Sequence, residues 1–170
     1  MIIKEGYVYH IKDEYFDKVK DEKLMRNKER GSYRPTFLCI KDPRNIDLLW
    51  VIPMSSQLEK YQSIILKQEE KHGKCITLVI GKFNNMQSVF LIQNMFPITK
   101  RYLDHIHTIN GNPISLSFKT SKQIKSNFQK VLHLSKKGYP IVFPDIERLE
   151  KIMLDELEFE NQNHRMKISV

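Results

Sequence analysis

Cysteine is scarce in this 170-residue chain, which has two, Cys39 and Cys75. Both lie in apolar, strand-like runs (TFLCI and KCITLVI), and neither has a second Cys or a His at zinc-ligand spacing. They read as reduced, buried thiols rather than as a disulfide framework. Long hydrophobic runs are missing too, and nothing approaches the ~20 apolar residues that span a bilayer. The opening stretch, MIIKEGYVYHIKDE, lacks the apolar block and small-residue cleavage site of a secretory signal. The expectation is a cytoplasmic protein without membrane contact. There is also no glycine-rich phosphate loop, no His-x-x-x-His pair and no carboxylate cluster suited to Mg²⁺. His105 and His107 would share one face of a strand, but the sequence shows no third ligand, so the six histidines read as solvated or hydrogen-bonded. No metal and no cofactor is expected, and any phosphodiester chemistry would run without a metal.

Positive charge is what the chain has in excess: the formal net charge is +8 and the pI about 9.4. Its placement is uneven. Residues 144–160, PDIERLEKIMLDELEFE, hold seven acids against two bases, so the basic excess belongs to residues 1–143. That pattern favours a polyanionic partner, nucleic acid first, with one acidic helix near the end.

Residue patterning predicts one domain, 1–170, of class α+β. YVYHI reads as a strand, and residues 12–28 as an amphipathic helix carrying Tyr15, Phe16, Val19, Leu24 and Met25. ERGSYRP is a basic loop. TFLCI and DLLWVI flank an Asp-Pro turn as a hairpin, with Trp50 in the core. A helix then runs to Gly73. CITLVI and SVFLIQNMFPI form a second strand pair, INGNP a turn, and ISLSF a strand. Thr120 to Lys137 is a basic helix, with Thr120 and Gln123 in capping-box spacing. Pro144 and Asp145 open the acidic helix, which frays from about Asn161.

One stretch joins structure to chemistry. In PMSSQLEKY, Ser56 and Glu59 have capping-box spacing, Ser55 stands just outside the helix, and Lys60 follows Ser56 by four residues. The ordinary reading is a helix cap with one solvated lysine. The sharper reading is a phosphate site, because a helix start presents oriented N–H donors to an anion. RNA suits such a site. Its 2′-hydroxyl attacks the adjacent phosphorus, so the protein must orient that hydroxyl and supply donors to the phosphorane oxygens.

Pro53-Met54-Ser55-Ser56 resembles the Pro-Leu-Thr/Ser-Ser segment of the ToxN/AbiQ family, endoribonuclease toxins of type III toxin–antitoxin systems. HIKDEYFDKVKD is similar to that family's opening strand-to-helix segment, with Tyr15 in the place of a tyrosine that faces the active site. SYRPTFLCI is similar to its basic loop, matching at Tyr33, Arg34 and Pro35, and SVFLIQNMFPIT to its apolar strand. The likeness spans roughly the first hundred residues. It implies a compact, strongly twisted antiparallel sheet with about four surrounding helices. It also implies metal-independent RNA cleavage leaving a 2′,3′-cyclic phosphate, and inhibition by a cognate small RNA, often a repeated pseudoknot, that the toxin processes. Toxin and RNA would form a hetero-oligomer, and release would arrest growth or abort phage infection by cutting cellular or phage RNA.

Carried onto this chain, the resemblance implies that Ser55 and Ser56 bind phosphate and orient the 2′-hydroxyl. Lys60 would stabilise phosphorane charge or donate a proton, and Tyr15 would donate a hydrogen bond or stack. Tyr33, Arg34 and Arg30 offer a ring and guanidinium groups to single-stranded RNA. Lys119, Lys122 and Lys125 on the basic helix would hold antitoxin phosphates, or else form a solvated face. Gln57 and Leu58 stand where many members carry a lysine directly after the paired hydroxyls, so the catalytic charge falls to Lys60 or to Arg34. A non-catalytic module that packages or protects a small RNA is the alternative from another class.

Overall fold

The apolar runs on either side of the Asp-Pro turn pair with each other, and the sheet is organised around the second of them. The computed structural model describes residues 3–25, 28–29, 32–33, 36–42 and 44–168. In chain order these form β1 (Val8–Ile11), α1 (Asp13–Val19), β2 (Lys28–Glu29), β3 (Ser32–Tyr33), β4 (Thr36–Lys41), β5 (Leu48–Ser55), α2 (Leu58–His72), β6 (Leu78–Phe83), β7 (Met86–Leu91), β8 (Phe96–Thr99), β9 (Leu103–Ile106), β10 (Thr108–Ile109), β11 (Asn112–Pro113), α3 (Phe118–Lys136) and α4 (Ile146–Ile168). Seven strands make one sheet in the order β6-β7-β5-β4-β1-β9, with β8 also on β5. Every pairing is antiparallel. The class is α+β, as the patterning predicts.

β5 carries partners on both edges. β4 lies along one, with Thr36 opposite Pro53. On the other, β8 pairs Leu48 to Val51 and β7 pairs Met54 and Ser55. The edge changes partner at Ile52–Pro53, where proline has no N–H to give. Between β7 and β8 the chain leaves the sheet in a 3₁₀ turn, Ile92–Asn94.

Alternation sorts the core. Trp50, Ile52 and Met54 pack with Ile124, Phe128 and Val131 of α3. Leu49 and Val51 face the other way, toward Tyr15 and Val19 of α1 and Leu149 and Met153 of α4. Tyr61 of α2 packs on Leu78, Val89 and Leu91 of the β6–β7 hairpin. A Cβ on Gly81 would meet Thr120 Cγ2 at 2.5 Å, so glycine there lets α3 lie close on β6.

Several boundaries depart from the sequence reading. The first helix spans 13–19 rather than 12–28, because Lys20 turns left-handed (φ 45°) and its N–H closes on Phe16 O. SVFLIQNMFPI is two strands split at the 3₁₀ turn, and β6 extends through GKF to a two-residue loop. That loop is Asn84-Asn85, both at positive φ (48° and 60°), which suits a tight hairpin. ISLSF is not a strand, since only Ser115 bridges, to Tyr7. Ser117 instead caps α3, its Oγ accepting from Thr120 N at 3.2 Å, so the Thr120–Gln123 box does not form. Asp145 does open α4, accepting from Arg148 N at 3.1 Å. That helix continues to Ile168 instead of fraying at Asn161. Cys75 is a free, half-buried thiol, and Cys39 lies on β4.

The β4–β5 turn is held by Asp42, which is 3% exposed. Its carboxylate accepts from Arg44 N (2.8 Å), Nε (3.1 Å) and Nη2 (2.9 Å), and from the Trp50 indole (3.3 Å). Arg44 reaches on to Glu150 of α4. Burial opposes ionisation of Asp42, but the Arg44 and Trp50 hydrogen bonds outweigh it and hold the pKa at about 2. An unfolded Asp titrates near 4, so this stabilisation is present above about pH 4 and is lost as pH falls toward 2. Replacing Asp42 by Asn should therefore cost about 2 kcal/mol at pH 7, and the gap to wild type should close across that window. Urea unfolding at a series of pH values measures it.

Candidate functional site

The end of β5 and the start of α2 place the two serines. Ser55 is the last residue of β5, opposite Val89, and half-buried. Its Oγ accepts from Gln57 N at 3.2 Å. Ser56 is exposed. Its carbonyl accepts from Leu58 N at 2.9 Å, and its hydroxyl has no hydrogen-bond partner among the described residues. The helix begins at Leu58 with Gln57 at the cap position and no side-chain cap bond. The Ser56–Glu59 capping box is thus corrected: Ser55 makes the turn, and Ser56 is left open. The N–H groups of Glu59 and Lys60 also have no acceptor among the described residues. Two hydroxyls and two aligned N–H donors therefore gather at a helix's positive end, an arrangement suited to a phosphate.

Lys60 lies in the first helical turn, exposed, with its ammonium 5.3 Å from the centroid of the Tyr61 ring. Tyr61 is buried against the β6–β7 hairpin, so it holds the lysine stem beside the helix start.

Tyr15 does not join this group. It is fully buried, its hydroxyl donates to Pro97 O at 2.8 Å, and its ring stacks on Phe96 with centroids 5.3 Å apart. Burial, then the nearby Asp21 carboxylate, raises its pKa well above the ordinary phenol value. The expectation that Tyr15 faces an active site is corrected: it closes the core between α1 and β8. Arg30 and Arg34 lie outside the described residues. Tyr33 is on β3, opposite Lys28. Thr36 sits beside Pro53, so β4 starts next to the end of β5.

Lys119, Lys122 and Lys125 are exposed along the outer face of α3. Lys119 and Lys122 line a shallow groove of about 410 Å³ with Phe118, Gln123, Ser126 and Asn127. Phe118 is 83% exposed, an aromatic surface next to two cations. Lys125 lies 3.6 Å from Glu5.

A histidine cluster escapes the sequence reading. His10 of β1 meets His107, Nε2 to Nδ1, at 2.9 Å, and its ring stacks on His105 at 4.4 Å. His105 in turn contacts Asp104 at 2.8 Å. The rings stack rather than converge, and no group of three or more His, Cys, Asp or Glu among the described residues is placed to hold a metal. Tyr9 and Pro53 lie on one row through Thr36, so alternation turns His10 toward the Met54 face and Ser55 toward the other. The cluster therefore ties β9 to β1 on the opposite face from Ser55. The only sequence signal for it was the His105–His107 spacing, because His10 is nearly a hundred residues away.

Three solved structures share this fold. One is AbiQ, a lactococcal anti-phage endoribonuclease of a type III toxin–antitoxin system. It is 17% identical with a TM-score of 0.69, over 91% of this chain and 99% of that one. A second, 14% identical with a TM-score of 0.67 over 88% and 98%, concerns a bacterial antiviral system regulated by a processed non-coding RNA. A third, 16% identical with a TM-score of 0.65 over 91% and 99%, concerns type III toxin–antitoxin systems and selective toxin inhibition by a non-coding RNA pseudoknot. At these identities the likeness establishes the fold. No protein-family model matches the sequence, and no curated protein matches it. No helix among the described residues is long and apolar enough to cross a membrane.

Two expectations follow from the buried groups. Tyr15→Phe removes one buried hydrogen bond and should lower stability by roughly 1 kcal/mol in urea unfolding. Burial, then His105 and His107, lowers the His10 pKa to about 4. An unfolded histidine binds its proton near pH 6.5, so stability should fall as pH drops from 6.5 to 4. The same titration on His10→Gln should show a flatter profile in that window.

Proposed function

We propose that this chain is a metal-independent endoribonuclease toxin of a type III toxin–antitoxin system, acting in the cytoplasm and working as one domain, 1–170. The observation that carries the reading is the opening of α2: two hydroxyls, two open N–H groups and a lysine, on a fold shared with an endoribonuclease. The 2′-oxygen of the substrate attacks its own phosphorus, the 2′-proton leaves, and the P–O5′ bond breaks as O5′ takes a proton. The products carry a 2′,3′-cyclic phosphate and a free 5′-hydroxyl. Ser56 binds the phosphate and orients the 2′-hydroxyl. Ser55 holds the turn that presents it, and the Glu59 and Lys60 N–H groups face the developing negative charge. The cation that completes the site is Lys60 or Arg34, with Tyr33 and Arg30 on the flanking nucleotides. Lys119, Lys122 and Lys125 take phosphates of a cognate antitoxin RNA, folded as a pseudoknot repeat, which the enzyme cuts from its precursor and which closes with it into a hetero-oligomer. Released enzyme cuts cellular or phage RNA.

The test is cleavage of end-labelled single-stranded RNA by purified protein in excess chelator. Cleavage with cyclic-phosphate ends is expected, and Ser56→Ala or Lys60→Ala should slow it by about 10²–10³-fold without changing the unfolding midpoint. Full rates in both variants would overturn the site. Tight, salt-sensitive RNA binding with no cut product would identify a packaging module instead.

A further inference from the structure

A second cavity lies at the far end of α2. It has a volume of about 660 Å³ and sits between the last turns of α2, the segment leading into β6, and the segment after α3. That is ordinary for a small-ligand site, and its polar groups have a definite orientation. Gln68 Oε1 accepts from Thr77 Oγ1 at 3.0 Å and from Cys75 Sγ at 3.2 Å. With the oxygen doubly engaged, the Gln68 NH₂ is the end left for the cavity. Gln93 belongs to the 3₁₀ turn that leaves the sheet opposite Pro53. Its backbone is tied on both sides, N–H to Thr77 O at 3.1 Å and O from Phe143 N at 2.8 Å. The residue is 7% exposed, yet its side-chain amide has no partner among the described residues and lines the cavity. Two primary amides, fixed from behind, thus present donors and an acceptor to one space. Tyr139 and Phe143, 56% and 50% exposed, provide aromatic surface at its edge. His72 and Lys74 stand at the same site.

We infer that this cavity binds a single unstacked nucleobase together with its phosphate. The amides meet the hydrogen-bonding edge of the base, Tyr139 or Phe143 stacks on its face, and Lys74 with His72 takes the phosphate. An aliphatic ligand would leave both amides unpaired. α2 separates this site from Ser56 by roughly 20 Å, at 1.5 Å per residue. Resting on the RNA-cleaving reading, the inference adds that a strand cut at Ser56 is anchored at the other end of the helix. A free nucleotide offers the same chemistry.

Titrating ¹⁵N-labelled protein with AMP, GMP, CMP and UMP, beside inorganic phosphate and ribose 5-phosphate, tests it without any cleavage. At least one nucleotide should move the side-chain NH₂ signals of Gln68 and Gln93 saturably. Gln93→Leu, which removes no protein hydrogen bond, and Tyr139→Ala should abolish the shift while leaving the unfolding midpoint unchanged. No movement with any nucleotide at millimolar concentration, or equal movement with ribose 5-phosphate, overturns the site. A length series of non-cleavable 2′-deoxy oligonucleotides separates the sources. A strand anchored here and at Ser56 gains at least about tenfold over the mononucleotide once it spans both, and loses that gain in Gln93→Leu. A free-nucleotide site shows no such gain. The readout is binding, so the site stands or falls whether or not Ser56→Ala affects cleavage.

Discussion

One strand sets the positions of the others. β5 pairs along one edge with β4 and along the other with β8 and then β7, and a central strand so engaged leaves little freedom in register. Proline is normally excluded from such a place because it cannot donate to the ladder. Pro53 is accommodated because the change of edge partner falls beside it, where the chain bows out as the Ile92–Asn94 turn. Two placements come from that arrangement. The strand ends two residues later at Ser55, beside the entry to β4, and the bow carries Gln93 out of the sheet into a cavity.

Charge is segregated by the same architecture. Three acids of α4, Glu150, Glu156 and Glu160, are engaged by cations. Glu156 binds Lys18 at 2.7 Å, Arg101 at 3.2 Å and the Tyr102 hydroxyl, while Glu150 binds Arg44 and Lys136. Pairs this exposed add little stability individually. Their larger effect is on the field: α4 neutralises cations of α1, the β4–β5 turn and the end of α3, while Lys119, Lys122 and Lys125 at the start of α3 stay exposed.

Much of this was legible in the sequence, and the failures have physical causes. The β4–β5 hairpin, the Gly73 helix end, the Asp145 start and Trp50 in the core were readable because each rests on a local signal. Tyr15 was not, since an aromatic on a short amphipathic helix has the same pattern whether it faces a cleft or the interior. The serine cap was misplaced by one residue because Ser55 bonds Gln57 two residues on, a turn that competes with the capping box for the same residue types. ISLSF looks like a strand, but Ser117 is needed to cap α3. SVFLIQNMFPI is one apolar run in sequence and two strands in space, because its interruption answers a proline some forty residues earlier. The histidine cluster and the Gln68–Gln93 pair depend on contacts between distant segments, which spacing along the chain does not encode. Arg30 and Arg34 lie outside the described residues.

The His10–His107 contact spans 97 residues, and it has a consequence for the order of assembly. The β6–β7 and β4–β5 pairs close short loops and can form as soon as their residues exist. β1 acquires β4 early, but its other edge must wait for Leu103–Ile106. At roughly 5–20 residues per second that wait lasts on the order of 5–20 s during synthesis. Through that interval the sheet has an open flank, and neutral imidazoles close it before α3 and α4 are made.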